Sequence, residues 1–150
     1  MAMDAFSASL MADKREIIFA PTVYKFQTFA QMAEEFQLNE RDVVLTNEFI
    51  YTPFMKDLGL KCSFVFQEKF GAGEPSEAMI QTMYDAIPYD SYDRVIAVGG
   101  GAIMDLCKLL GCKRPDSVHE LYYKRFPVVH EKDVIAIPTT CGTGSECTNI

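Results

Sequence analysis

Apolar and polar positions along the chain fall into two kinds of block. Continuous apolar runs of strand length occur at DVVLTN (42–47), CSFVF (62–66), RVIAV (94–98) and DVIAIP (133–138), a pattern that suits parallel strands covered on both faces. Between these runs the spacing changes to that of helices. Phe29, Met32, Ala33 and Phe36 recur at i, i+3, i+4, i+7 behind Thr28, which predicts a short amphipathic helix capped by Thr28. Ser76 is placed to cap a second helix with Met79, Ile80, Met83 and Ile87 on its inner face. Residues 103–110 read as an apolar helix, and 49–58 as a weaker one interrupted by Pro53. EIIFA (16–20) and TVYKF (22–26) also have strand composition, split by Pro21, and KFGAGEPSE (69–77) reads as a loop. Strands and helices in alternation predict an α/β domain with a parallel sheet and right-handed crossovers.

Composition narrows the partners. The chain has 150 residues, 49% of them hydrophobic, enough for one domain with a proper core. Its apolar runs fall short of the roughly 18 residues that a membrane span needs. A net charge of −7, with 14 Lys+Arg and no basic cluster, argues against a nucleic-acid or anionic-membrane surface and points to small-molecule chemistry. The five cysteines, Cys62, Cys107, Cys112, Cys141 and Cys147, are odd in number and form no CxxC pair, so neither a disulfide framework nor a zinc knuckle is indicated. Free thiols in a reducing cytoplasm are expected, with Cys141 and Cys147 packed around their loop as small apolar groups. Residues 1–14 lack the basic n-region of a secretory signal and read as a disordered extension before a domain spanning 15–150.

Two stretches can do chemistry. In VIAVGGGAIMD (95–105), three glycines follow an apolar strand, where backbone can approach a ligand closely. Gly99, Gly100 and Gly101, with the start of the next helix, could offer N–H groups to a pyrophosphate, or could simply make a tight strand-to-helix turn. The G-x-G-x-x-G fingerprint is not satisfied, because Met104 stands at the third glycine, and no Gly-Lys-Ser/Thr of a Walker loop follows. Asp105, read as lying in the first helical turn, either complements the helix dipole or belongs to the same site. In IPTTCGTGSECTNI (137–150), Thr139, Thr140, Thr143 and Ser145 bring hydroxyls to the end of another strand, with Gly142 and Gly144 between them. Hydroxyls and exposed N–H groups suit ribose and phosphate oxygens, and ligands of doubly wound sheets sit outside the carboxyl ends of the strands.

GGGAIMD resembles the GGGSxxD motif, and PTTCGTGSE the PTTxGTGSE motif, of the iron-dependent (group III) alcohol dehydrogenase family, at about that family's separation. TNEFIYTPF (46–54), FQEKFGAGEPS (66–76) and IPTTCGTGSECTNI are most similar to its 4-hydroxybutyrate dehydrogenase branch. The resemblance implies a Rossmann-like parallel sheet flanked by helices, the dehydroquinate synthase-like amino-terminal domain, binding NAD or NADP. It puts Gly99, Gly100 and Gly101 on the pyrophosphate and Thr139, Thr140 and Thr143 along the same cofactor. Ala102 replaces the usual serine, at a cost of at most one phosphate hydrogen bond. Asn47 stands where many members carry an acidic ribose partner, which leaves NAD against NADP open. Glu74, before Pro75, matches a position that touches the adenine side in some relatives.

Members of that family run to more than twice this length and hold a catalytic Fe2+ or Zn2+ through one Asp and three His in a helical carboxy-terminal domain. No counterpart of that domain is expected in these 150 residues, and neither catalytic nor metal-ligating residues are assigned. His119 and His130 read as surface residues of a charged connecting segment. The resemblance therefore implies the cofactor half of a cytoplasmic, homo-oligomeric oxidoreductase acting on a small alcohol/aldehyde pair, with 4-hydroxybutyrate and succinate semialdehyde the foremost candidates. Alone, such a half is expected to be inactive and prone to association through the face that meets the second domain. A non-catalytic nucleotide-binding module is the alternative, and a glycerol dehydrogenase-like fragment is a further one, against which the PTTCGTGSE form argues.

Overall fold

The computed structural model describes residues 22–123, 125 and 127–147. EIIFA, the segment 1–14 and residues 148–150 lie outside these. Four parallel strands, β1 (Asp42–Thr46), β2 (Ser63–Phe66), β3 (Arg94–Gly99) and β4 (Asp133–Pro138), form one sheet in the order β2-β1-β3-β4. All five residues of β1 are buried, as are Val95 to Gly99 of β3. Their unbroken apolar runs follow from that central position, since both sheet faces are covered. The edge strands β2 and β4 are half-exposed.

Among the described residues the helices are α1 (Phe29–Glu35), α2 (Glu48–Phe54), α3 (Glu77–Ala86), α4 (Gly101–Gly111) and α5 (Val118–Tyr122). Successive strand residues point to opposite faces, and two cores result. Val43, Leu45, Val95 and Ala97 meet Met79 and Met83 of α3 and Leu106 and Leu110 of α4. Val44, Ile96 and Val98 meet Met32 of α1, Ile50 of α2 and Met55. The expected caps form: the hydroxyls of Thr28 and Ser76 accept from Gln31 N and Met79 N, each at 3.2 Å. Among the described residues no helix is long and apolar enough to cross a membrane.

Some expectations are corrected. TVYKF is not a strand: residues 22–26 have no regular structure, and the Tyr24 and Phe26 rings instead pack on Phe36 with centroids 5.1 and 6.0 Å away. The helix predicted over 49–58 is α2 plus a 3-10 turn at Lys56–Leu58, because Pro53 cannot donate to a helical carbonyl and α2 stops one residue later. The connecting segment contains a helix, α5, whose single turn is too short to show apolar periodicity. His119 and His130 are both exposed, as expected, with His119 Nδ1 3.3 Å from Glu77 Oε1.

The cysteines divide by burial. Cys62, Cys107 and Cys112 are buried, and loss of solvent pushes the thiols of Cys62 and Cys112 up to about 11 and that of Cys107 further. Cys141 and Cys147 are exposed, contrary to the expectation that they pack around their loop, because that loop leaves the sheet and stands on an open cleft. A neutral-thiol reagent at pH 8 is therefore expected to modify Cys141 and Cys147 quickly in the native protein and the other three only after unfolding, since the thiolate is the nucleophile. Mass spectrometry of partially labelled protein reads the sites, and early labelling of Cys107 would contradict the packing described.

Candidate functional site

The order of strands reverses between β1 and β3: the chain leaves β1 for β2 on one side, then returns to place β3 and β4 on the other. In open α/β sheets this switch point, at the carboxyl ends of the strands, is where a crevice opens. Here a large cleft is lined by Asn47 after β1, Gln67 after β2, Gly100, Gly101 and Ala102 after β3, and Thr139, Thr140 and Thr143 after β4. Thr46, the last residue of β1, is fully buried and donates from Oγ1 to Val98 O at 2.8 Å, which ties the two strands together just beneath the switch point.

The loops after β3 and β4 are packed on each other. Thr139 N donates to Gly99 O at 3.0 Å, prolonging the β3–β4 pairing past the strands. A Cβ on Gly101 would lie 3.0–3.1 Å from Cβ, Cγ2 and Oγ1 of Thr143, and one on Gly99 only 2.6 Å from Cγ1 of Ile103. Gly100 is less confined, since its Cβ would meet only Thr140, at 3.5–3.6 Å. None of the three glycines has positive φ. Their small size therefore serves close packing, of β3 on α4 and of one loop on the other, rather than an unusual backbone. Gly142 and Gly144 do have positive φ, 123° and 66°, with nothing within 4 Å of an added Cβ, and they turn the second loop around Thr143.

Gly100 is the N-cap of α4 with no side-chain capping bond, so the amides of the first turn have no intrahelical acceptor, and Gly101 and Ala102, which carry two of them, line the cleft. That turn carries no acidic residue. Asp105 belongs to the second turn, a correction that follows from α4 beginning at Gly101 rather than Ile103, and its carboxylate pairs with Lys108 Nζ at 3.2 Å. The dipole role is thereby lost. A helix start with free first-turn amides and no acidic residue, beside threonine hydroxyls, is chemically suited to phosphate oxygens and ribose hydroxyls.

The other expected residues lie outside the cleft lining. Gly99 is buried beneath it, Ser145 opens a 3-10 turn at Ser145–Cys147, and its N–H donates to Thr143 Oγ1 at 3.5 Å. Glu74 is exposed on the loop before α3. That loop is nevertheless tethered to the cleft, because Gln67 Nε2 donates to Gly73 O at 3.2 Å. Gln67 is buried, lines the cleft and was not anticipated; its one sequence signal is a polar residue directly at the end of a strand. Among the described residues no three His, Cys, Asp or Glu side chains are grouped to hold a metal ion.

The family profile of iron-containing alcohol dehydrogenases matches residues 20–150. A 4-hydroxybutyrate dehydrogenase of Clostridium kluyveri is 45% identical over 131 residues, covering 87% of this chain and 35% of the relative. The mitochondrial hydroxyacid-oxoacid transhydrogenase of Rattus norvegicus is 38% identical over 85 residues, 51% of this chain and 18% of that protein. The chain thus spans about a third of the length of the first of these relatives and less of the second. Among solved structures, an iron-containing alcohol dehydrogenase from Thermotoga maritima superposes with a TM-score of 0.68 at 25% identity, covering 89% of this chain and 40% of that one. A sulfoacetaldehyde reductase from Bifidobacterium kashiwanohense, solved with NAD+, shares the fold with a TM-score of 0.65 at 22% identity, over 89% and 39% of the two chains. By sequence profile and by fold, the chain belongs to the iron-containing alcohol dehydrogenase family.

Proposed function

We propose that residues 15–150 bind NAD(P) across the switch-point cleft and form the cofactor-binding half of a cytoplasmic, homo-oligomeric, metal-dependent alcohol dehydrogenase that interconverts 4-hydroxybutyrate and succinate semialdehyde. The observation that carries the reading is the meeting of the two glycine- and threonine-rich loops, Gly101 against Thr143 and Gly99 against Thr139, beside the end of β1. The substrate pair rests on the 45% identity to the Clostridium kluyveri enzyme.

In this reading the amides of Gly101 and Ala102 hold the pyrophosphate, and Thr139, Thr140 and Thr143 donate to phosphate and ribose oxygens. Asn47 and the Glu74 loop flank the adenosine. The nicotinamide, when bound, supplies hydride-transfer chemistry. What the chain's own residues do is orient: the uncharged hydroxyls fix the cofactor without a counter-charge, and the absence of a carboxylate in the first turn of α4 leaves its amides available to an anion. The described residues group no three His, Cys, Asp or Glu side chains that could hold the metal.

Calorimetric titration of the chain with NAD+ and NADP+, alongside Gly100→Val, tests the reading. Gly100 is the suitable position because an added Cβ meets Thr140 only at ordinary contact distance and φ is −84°, so the fold tolerates it while the cleft wall does not stay bare. Saturable binding to the parent chain, weakened about tenfold or more in the variant, is expected, since the substituent blocks close approach of a pyrophosphate to the backbone. Binding equal in the two proteins would remove the glycine loop from the site.

A further inference from the structure

The carboxylate that Asn47 lacks stands beside it, at the edge of the cleft, and is delivered by a different strand. β1 and β2 run side by side with Thr46 opposite Phe66, so the residues that follow each strand emerge together: Asn47–Glu48 from β1, Gln67–Glu68 from β2. Glu48 N donates to Glu68 Oε1 at 3.1 Å. That amide is bonded directly to the carbonyl carbon of Asn47, which places the Glu68 carboxylate next to Asn47 at the edge of the cleft that Asn47 and Gln67 line. The Asn47 side chain makes no capping bond to α2, so its amide is not committed there. Lys69, the neighbouring cation, has its Nζ 5.3 Å from the Phe66 ring centroid.

We infer that Glu68 is the specificity-determining residue for the cofactor, accepting the hydroxyls of the adenosine ribose and excluding a 2′-phosphate, so that this chain takes NAD rather than NADP. A carboxylate at this end of a Rossmann-like sheet reads the 2′-hydroxyl by hydrogen bonding and rejects a 2′-phosphate by like-charge repulsion. What differs here is its origin. The carboxylate comes from the turn after β2 and is held in place by a backbone amide of the neighbouring connection, while β1 itself ends on a neutral side chain. The assignment rests on the dinucleotide reading given above.

The test is calorimetric titration of NAD+ and NADP+ into the parent chain, Glu68→Gln, Glu48→Gln and Lys69→Gln. Glutamine keeps an oxygen for the Glu48 amide and removes only the charge, so the local geometry is retained. The parent is expected to prefer NAD+ by about tenfold or more, the scale set by like charges a few ångströms apart near a protein surface. Glu68→Gln is expected to bring the two affinities to near parity, chiefly by raising that for NADP+, while Glu48→Gln and Lys69→Gln leave the preference in place. A preference for NADP+ in the parent overturns the inference, as does an NAD+ preference that survives Glu68→Gln or collapses equally in Glu48→Gln. In each of those cases dinucleotide binding itself still stands. Failure of the parent to bind either dinucleotide overturns the binding reading and this assignment together.

Discussion

Arg94→Ala is expected to lower the stability of the domain by about 3 kcal/mol, the lower end of the range for breaking a buried ion pair by removing one partner. Asp42 opens β1 and is 2% exposed, and Arg94 lies directly opposite it on β3. The guanidinium meets the carboxylate with both prongs, Nε to Oδ1 at 2.7 Å and Nη2 to Oδ2 at 2.8 Å, and Nη2 also donates to Phe36 O at 2.9 Å. Without Arg94, the Asp42 carboxylate retains the Asn39 amide, 2.7 Å away, but no cation. A buried charge left in that state costs several times what the intact pair contributes. One-fifth of the Arg94 side chain remains exposed, which is why the lower end of the range applies. Arg41 and Asp93 provide the comparison, with a two-pronged contact of the same kind at 2.9 and 2.6 Å but side chains 45% and 65% exposed. Arg41→Ala should leave the unfolding midpoint almost where it was, because water takes over the freed carboxylate. Urea denaturation of the three proteins measures the difference; equal midpoints for Arg94→Ala and Arg41→Ala would mean that burial of Asp42 is not what gives the pair its weight.

Much of the sheet could be read from the chain because its causes are local. A run such as DVVLT has one comfortable environment, a strand covered on both sides, and that is where it is found. Thr28 and Ser76 satisfy amides within three residues of themselves, so their capping role needs no tertiary knowledge. That two loops follow the carboxyl ends of β3 and β4 was legible for a related reason, since glycine and threonine after an apolar run mark the end of a strand. What eluded the sequence depends on register between distant segments. That Glu68 meets the amide of Glu48 follows from the pairing of Thr46 with Phe66, which no spacing along the chain reveals. The reason for glycine at 99 and 101 was likewise hidden, because the atoms that exclude a side chain belong to Ile103 and Thr143. Asp105 was misplaced by half a turn of helix, enough to remove it from the first turn and give it Lys108 as a partner. TVYKF failed in the opposite sense: its strand composition is real, but its aromatic rings are satisfied by Phe36 without a backbone ladder.

Gly101→Val is expected to abolish measurable dinucleotide binding and to lower stability by about 1–3 kcal/mol, the usual cost of forcing extra carbon into a packed contact. The cause is the seating of one loop on the other. Thr143 rests on the Cα of Gly101, with three of its atoms 3.0–3.1 Å from where a Cβ would stand, so any side chain at 101 must displace it. The loop can yield only in part. Its amino end is fixed to β3 by the bond from Thr139 N to Gly99 O, whereas Gly142 and Gly144, both at positive φ, flank Thr143 and are the natural points of rotation. Thr143 then swings away from the first turn of α4, and the hydroxyl and the amides that should act on one ligand no longer converge. A double-mutant cycle separates this from a simple loss of folding. Thr143→Gly removes the obstructing atoms, so Gly101→Ala/Thr143→Gly should recover part of the stability lost in Gly101→Ala while dinucleotide affinity stays low for want of the hydroxyl. Thermal unfolding and calorimetry on the four proteins read the two effects independently. Strict additivity of the unfolding free energies would show that Thr143 does not rest on Gly101, because residues in contact couple and distant ones do not.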